Sequence, residues 1–267
     1  MINMDKKFLI IVSMTLICSF GQPIYAVNCG GEEYIDSSGV FWNKDQGYKG
    51  GLSIHPGRNK IVKYTNDPAI YQTERHSSDN FSYNIRLPTP GSYILILKFA
   101  EFWSSNANKT FSIGIGQNIV INSLEIYENV KDSAAYDVFI PLIITEDVVF
   151  WNNTPLANAI ENEKIIVNFI KAKSNPKVSG IMLFKGKLEN TDYYEQERRI
   201  KHHKKLFQHK LEIDEKFIQN QLEKEKIFDN WETFDGVYVI KNYPVTLFLT
   251  SILFYILFQK LMPKAKW

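Results

Sequence analysis

The chain is long enough for one hydrophobic core of ordinary size, with 267 residues of which 45% are hydrophobic and 22% charged. Its formal net charge of +2 at pH 7 lacks the basic excess typical of proteins that bind nucleic acid, so we expect no nucleic-acid partner. One folded domain is the expectation.

The N-terminus predicts a secretory signal peptide at residues 1–26. Lys6 and Lys7 precede an apolar stretch from Phe8 to about Phe20, and small and polar residues follow as far as Ala26, after which we expect cleavage. The apolar stretch is short for crossing a hydrocarbon core of about 30 Å, although an uncleaved membrane anchor is the alternative.

The two cysteines indicate a fold without an internal disulfide. Cys18 lies in the predicted signal peptide, so Cys29 has no partner within the mature chain. We expect Cys29 to be buried; an intermolecular disulfide or a reactive thiol is the alternative.

Residues 27–187 predict an all-β domain, an antiparallel β-sandwich. The segment FSYNIRL (81–87) alternates apolar and polar residues like a half-exposed strand, and SYILILKF (92–99) is apolar on both faces like a central strand. Short runs of β-formers separated by turn residues, without a long helix, are typical of a sandwich. Further candidate strands are 110–115, 118–121, 136–144, 148–151, 164–170 and 180–186.

Three Asn-X-Ser/Thr sequons lie within this domain, at Asn80, Asn108 and Asn152. Such sequons are acceptors for N-linked glycans in secreted proteins. Together with the signal peptide they predict a glycoprotein.

The sequence of the β-domain contains no recognisable catalytic motif. G-x-S-x-G, H-E-x-x-H, a phosphate-binding loop and a cysteine cluster are all absent, so we expect neither an enzyme nor a metal site nor a cofactor. A glycosidase is the alternative, because it needs only two carboxylates at working distance. The sequence offers Glu32, Asp36, Glu74 and Glu101 for this role.

An aromatic pair followed by two serines, Phe102-Trp103-Ser104-Ser105, comes where a predicted strand ends. A sugar ring has an apolar face that an aromatic side chain can cover and a fringe of hydroxyls that polar groups can bond. Successive strand residues point to opposite faces, so we expect Phe102 to belong to the core and Trp103 to be available to a ligand.

Residues 188–242 predict a charged helical stalk. Apolar residues recur at helical spacing, at Ile200, Phe207, Leu211, Ile218 and Leu222. The stalk is either a solvated spacer or a helix that binds a partner. The KHHKK run at 201–205 is read as a solvated surface rather than a metal site.

Residues 243–262 predict one transmembrane helix, and residues 263–267 a cytoplasmic tail. Lys260, Lys264 and Lys266 lie at the C-terminal end, which places that end in the cytoplasm. A signal peptide independently places the β-domain on the other side, so both features predict a single-pass type I protein.

Four segments, taken in order, resemble the malectin family: 26–45, 70–76 (IYQTERH), 97–103 (LKFAEFW) and 174–186 (SNPKVSGIMLFKG). The resemblance covers about residues 26–187. It implies a lectin-like, jelly-roll type β-sandwich in the lumen of the endoplasmic reticulum, held by one C-terminal span. It also implies a glucose-containing oligosaccharide as ligand, notably the α-1,3-linked diglucose end of an immature N-glycan in glycoprotein quality control.

The resemblance also implies the positions of the site residues. The family's aromatic residue after T-E-R falls on His76, its two aromatics after F-A-E-x fall on Trp103 and Ser104, and its acidic residue before N-P-K falls on Ser174. A family tyrosine near LSIH (52–55) has no match, since Ile54 and His55 stand there.

We therefore expect Trp103 to stack on a sugar, with His76, Ser104, Ser174 and His55 as polar candidates. The alternative is a malectin-fold adaptor that binds a protein partner in the membrane of the endoplasmic reticulum.

Overall fold

The computed structural model describes residues 23–102, 109–131 and 133–229, with the backbone alone for residues 203, 207, 211 and 221–229. The chain divides into two compact units, residues 1–205 and 206–267. The predicted signal peptide therefore lies almost wholly outside the described residues, and the predicted transmembrane segment lies outside them completely. No helix within the described ranges is long and apolar enough to cross a membrane.

The described part of the first unit is built mainly from short antiparallel strands. In chain order these are β1 (Tyr25–Asn28), β2 (Tyr34–Ile35), β3 (Phe41–Trp42), β4 (Tyr48–Lys49), β5 (Leu52–Ile54), β6 (Glu74–His76), β7 (Phe81–Arg86), β8 (Gly91–Ala100), β9 (Phe111–Ile115), β10 (Asn118–Leu124), β11 (Ala135–Ile144), β12 (Val149–Trp151), β13 (Thr154–Pro155), β14 (Ile160–Glu161), β15 (Lys164–Lys171), β16 (Lys177–Val178) and β17 (Gly180–Lys185). The helices are α1 (Ala69–Gln72), α2 (Ile126–Val130) and α3 (Tyr193–Asp229), with a 3₁₀ turn at Leu188–Asn190.

Two large sheets face each other across the main core. One has the strand order β1-β17-β8-β11-β12-β13, and the other has β10-β9-β15-β7-β4 with β14 added beside β15. Every strand pair in both is antiparallel. The predicted antiparallel β architecture is confirmed.

The two best-patterned strands behave as their sequences predict. In β7 the buried residues alternate, with Phe81, Tyr83 and Ile85 facing the core. In β8 both faces are covered, and the strand lies between β17 and β11 in the middle of its sheet. Phe81 stacks on Phe169 of β15 with a centroid separation of 4.8 Å, which ties neighbouring strands of the second sheet together.

A buried ion pair lies on the outer face of the first sheet. Lys98 of β8 and Asp137 of β11 are directly opposite in register and form a salt bridge, and the Tyr71 hydroxyl donates a 2.7 Å hydrogen bond to Asp137. Burial alone would lower the pKa of Lys98, but the adjacent Asp137 carboxylate raises it overall. Lys98 therefore remains charged, whereas burial raises the pKa of Asp137 against the opposing effect of Lys98. The hydrogen bond from Tyr71 joins the two strands to α1.

Cys29 and Phe102 occupy the positions expected of them. Cys29 is a fully buried free thiol in the main core. Phe102 is 5% exposed and packs with Trp42 and Tyr71 in a second, smaller core. The aromatic pair thus begins with a core anchor, as predicted.

The helical stalk is also confirmed, but its first turns pack on the sandwich. The helix α3 begins at Tyr193, and Gln196 is buried against β11. The Gln196 side-chain amide accepts a hydrogen bond from the backbone N–H of Asp137 (2.8 Å) and donates one to the Asp137 carbonyl (2.6 Å). Ile200, which we predicted as a stripe residue, packs against the main core.

Candidate functional site

A cavity of about 600 Å³ opens at one end of the sandwich. Six segments line it: the end of β5, the strand β6, the residue after β8, the start of β9 with the residue Lys109 before it, the first residue of α2, and the start of β16 with the loop before it. The lining residues are Ile54, Glu74, His76, Glu101, Lys109, Phe111, Ile126, Lys173, Ser174, Asn175 and Lys177.

A small third sheet brings two of these segments together. Strand β6 lies between β16 and β5, and Lys177 and Leu52 both lie opposite His76 in the register. Strand alternation then places Glu74 and His76 on the same face of β6, because they are two residues apart. The T-E-R-H and N-P-K motifs therefore meet in space.

Buried charges form the floor of the cavity. Glu74, Glu101 and Lys177 are only 2%, 4% and 8% exposed. The Lys177 ammonium lies 3.1 Å from Glu101 Oε2 and 3.5 Å from Glu74 Oε2, and it donates a 2.8 Å hydrogen bond to the Ala100 carbonyl. One lysine therefore holds two carboxylates and the end of β8.

The charge balance of this cluster is set by burial and by its cations. Lys109 lies 3.8 Å from Glu101 Oε1, so Glu101 faces two ammonium groups. Burial raises the pKa of Glu74 despite the opposing effect of Lys177. Glu74 Oε2 is also buried without a hydrogen-bond partner among the described residues. The raised pKa thus favours the protonated form of Glu74 in its buried position.

His76 lies in the cavity wall on β6. It is half-buried, and its pKa is lowered by burial and by the positive charge of Lys177. Its ring is therefore neutral at pH 7, with one nitrogen as a donor and the other as an acceptor. This is a suitable polar partner for sugar hydroxyls.

Ser174 is placed in the cavity wall by its own backbone. Both its N–H and its hydroxyl donate to the carbonyl of Thr110, at 2.9 and 3.3 Å. The hydroxyl hydrogen is therefore engaged within the protein, and the lone pairs of the oxygen are what Ser174 offers to a ligand.

The structure brings His76 and Ser174 together but does not place His55 with them. Ile54, the neighbour of His55, lines the cavity, whereas His55 is exposed and is not a lining residue. Trp103 and Ser104 lie outside the described residues. They belong to a connection that leaves the cavity at Glu101 and returns to it at Lys109, both of which are lining residues.

The two described sequons that we predicted as glycosylation sites are accessible. Asn80 and Asn152 are exposed, and the Asn80 side-chain oxygen accepts a hydrogen bond from the backbone N–H of Lys171 at 2.9 Å. The amide nitrogen, to which a glycan would attach, is not used in that bond. Asn108 lies outside the described residues.

Sequence reasoning missed most of the charged residues of the cavity. Lys109, Lys173 and Lys177 were not singled out, although Lys177 stands inside a motif that was. The sequence did contain a signal for Lys177. The motifs T-E-R and F-A-E each carry a glutamate, and a buried carboxylate needs a cation, which the lysine of N-P-K supplies. Glu74 and Glu101, two of the four carboxylates considered for a glycosidase, both lie against that shared lysine.

Comparison with known proteins agrees with this arrangement of motifs. Residues 23–181 match the family model of the malectin domain. The chain belongs to the malectin family. The match covers strands β1 to β16, the start of β17 and all the residues that line the cavity, so the predicted resemblance is confirmed.

Individual relatives are about 30% identical to this malectin domain over the part that aligns. "Malectin" from Danio rerio is 32% identical over 174 residues, which are 63% of this chain and 60% of that protein. "Malectin-A" from Xenopus laevis is 32% identical over 62% of this chain and 60% of its own length, and "Malectin" from Homo sapiens is 29% identical over 62% and 58%. The similarity thus spans about 60% of the length of these relatives.

Solved structures support the fold of the malectin domain. The ectodomain of ANX1 from Arabidopsis thaliana superposes with a TM-score of 0.52 at 20% identity, over 63% of this chain and 49% of that one. The ANX2 ectodomain from the same plant gives a TM-score of 0.51 at 18% identity, over 63% and 51%. At this identity the likeness concerns the fold alone.

Proposed function

We propose that this malectin domain binds carbohydrate without transforming it, with the cavity as its binding site. The observation that carries the proposal is the convergence of the malectin motifs: T-E-R-H, the residues flanking the Trp103 loop and S-N-P-K all line one open cavity of about 600 Å³. A volume of this order suits a small ligand, and neutral His76 and Ser174 can bond hydroxyls at its edge.

In this proposal Trp103 supplies the apolar surface and Ser104 a further polar contact. The connection that carries both residues begins and ends at the cavity, at Glu101 and Lys109. An aromatic ring over the C–H face of a sugar and hydroxyls at its fringe is the combination that the motif predicts. The ligand class is a glucose-containing oligosaccharide on a glycoprotein.

The test is a glycan-array screen of the full chain purified from a eukaryotic secretory host. The Trp103→Ala variant should lose at least tenfold in affinity, which corresponds to about 1.4 kcal/mol. Phe41→Ala is the matched control, because Phe41 is an exposed aromatic residue that does not line the cavity. Folded protein that binds no glycan at millimolar sensitivity would refute the proposal.

We further propose a single-pass type I protein of the endoplasmic reticulum membrane. The predicted signal peptide, the apolar segment 243–262 and the exposed sequons Asn80 and Asn152 support it. Protease protection of the β-domain in microsomes, with glycans sensitive to endoglycosidase H, is the expected result. A glycan-free, protease-accessible domain would contradict this topology.

A protein adaptor is the second candidate, and the surface of α3 favours it. Leu206, Ile213 and Phe217 are more than half exposed and are spaced by seven and four residues, so they share one face of the helix. A partner helix could cover such a stripe. Recovery of a membrane-protein partner by wild type and Trp103→Ala, but not after deletion of residues 206–229, would establish this role.

A further inference from the structure

We propose that the cavity selects a sugar that carries an anionic group, a carboxylate or a phosphate, over a neutral sugar of the same size. This inference rests on the proposed function, since it names the ligand class of the same site. It depends on where the charges of the cavity lie and on which of them are already balanced.

The floor of the cavity has no net charge to offer. Its two carboxylates, Glu74 and Glu101, face two ammonium groups, Lys177 at 3.5 and 3.1 Å and Lys109 at 3.8 Å from Glu101. Both carboxylates are almost completely buried. Both lie against lysines of the protein, and burial disfavours the charged form of Glu74, so they do not repel an anionic ligand strongly.

The rim of the cavity is positive. Lys173 is an exposed lining residue, and the described residues give it no ion-pair partner. Its neighbours in the wall, Ser174 and Asn175, are uncharged. Besides Glu74 and Glu101, no carboxylate lines the cavity within the described ranges.

The amino-acid sequence shows that this positive charge is not cancelled nearby along the chain. Between Glu163 and Glu189 there is no acidic residue, while the same stretch contains Lys164, Lys171, Lys173, Lys177, Lys185 and Lys187. The stretch of chain that carries Lys173 is therefore basic.

An exposed ammonium at the rim distinguishes ligands by charge more than by shape. It attracts a carboxylate or phosphate placed within a few ångströms, and salt screens this attraction over a Debye length of about 8 Å at 0.15 M. Exposed ion pairs are weak, so the preference should be modest, about fivefold at low salt. It should fall below about twofold in 0.5 M salt.

In the experiment the full chain is titrated with matched sugar probes, and ligand-observed NMR measures the affinity for each probe. The probes are an α-linked diglucose, the same disaccharide ending in glucuronic acid, and a glucose 6-phosphate. At 20 mM salt the two anionic probes are compared with the neutral disaccharide and with free glucose, and the comparison is repeated in 0.5 M salt. Which anionic probe binds better identifies the charged group.

Two variants remove the selectivity and one leaves it. Lys173→Gln abolishes the rim charge and Ser174→Asp adds an opposing one, so both should bring the preference close to one. Lys164→Gln is the control, because Lys164 is exposed at the opposite end of β15, seven residues or roughly 23 Å from Lys171. Near-ultraviolet circular dichroism verifies that each variant is folded.

The outcomes separate the two proposals. Binding of neutral and anionic probes with equal affinity, or a preference that Lys173→Gln leaves unchanged, overturns the selectivity and leaves carbohydrate binding standing. The absence of binding to any sugar overturns carbohydrate binding itself.

Discussion

Replacing Lys177 with methionine should destabilise the malectin domain strongly, because one ammonium holds two buried carboxylates. Lys177 is within 3.5 Å of Glu74 and 3.1 Å of Glu101, and its side chain is 10% exposed. Methionine fills a similar volume but removes the charge and the hydrogen bond to the Ala100 carbonyl. Both carboxylates would then be left with less compensation in a site that excludes water.

The size of the loss in stability depends on which cations remain near each carboxylate once Lys177 is replaced. Removing one partner from a buried ion pair costs about 3–5 kcal/mol. Glu101 keeps Lys109 at 3.8 Å, whereas the structure gives Glu74 no other salt bridge among its described residues. We therefore expect the lower end, about 3 kcal/mol, and a fall in Tm of roughly 6–12 °C for a domain of this size.

The pH dependence gives this prediction its sign. The pKa of Glu74 is already raised by burial, and losing Lys177 would raise it further. Because the folded-state pKa of Glu74 is raised, a protonated Glu74 costs the folded state little, and folding is most stable below the unfolded-state pKa of about 4.3. That stability is lost as the pH rises through the folded-state pKa, where Glu74 must ionise in its buried position. The penalty of Lys177→Met should therefore be largest at pH 7 and shrink toward pH 4.5.

The assay is urea unfolding of the full chain at pH 7 and at pH 4.5, followed by near-ultraviolet circular dichroism. Lys164→Met is the control for the loss of an exposed lysine, and Glu74→Gln in the Lys177→Met background should restore part of the stability. The pKa of His76, measured by NMR, should rise in Lys177→Met, because Lys177 contributes to lowering it. A loss below about 1 kcal/mol, or one independent of pH, would refute the buried charge network.

Three further predictions concern the framework of the site. Gly30→Ala should lower the free energy of unfolding by about 3 kcal/mol or more, because Gly30 has a φ of +73° and a Cβ there would lie 2.3 Å from the Glu74 carbonyl oxygen. The control is Gly39→Ala, where φ is +84° but the space is open, and the same unfolding assay should show a loss of about 1 kcal/mol. Cys29 should react with iodoacetamide only after unfolding, since burial raises its thiol pKa, and rapid labelling of the native protein would contradict its fully buried position. Mass spectrometry of the mature N-terminus should find Val27, as expected for cleavage after Ala26. An N-terminus at or before Ile24 would contradict that cleavage site and would keep the Ile24 N–H bond to the Leu183 carbonyl and the Asn43 N–H bond to the Ala26 carbonyl, both 2.9 Å long.

Sequence periodicity was sufficient for the long elements of the fold. The alternation in β7, the doubly apolar β8 and the helical spacing in α3 each extend over enough residues for a period to be visible. Strands β2 to β6 have only two or three residues each, and a period of two cannot be recognised in so few. The third sheet, which builds the cavity, consists of such strands.

The residues of the candidate site that belong to a sequence motif were predictable, whereas those that depend on strand pairing or on long-range ion pairs were not. His76 and Ser174 were found from motifs, and both line the cavity. His55 and Ile54 are adjacent, so a shift of one residue decides which of them faces the cavity. The contacts of Glu74 and Glu101 with Lys177 span 103 and 76 residues of sequence, and no local pattern encodes contacts over such separations.

The attachment of α3 to the sandwich has a consequence for aggregation. At Asp137 the strand β11 pairs with β8 on one side only, since β12 reaches no further than Ile143 and Ile144. On the other side the Gln196 amide bonds to both backbone groups of Asp137, as a neighbouring strand would. A fragment ending at residue 187 would leave this edge uncovered and ready to pair with a second molecule, whereas a fragment that includes the first turns of α3 carries its own protection against such self-association.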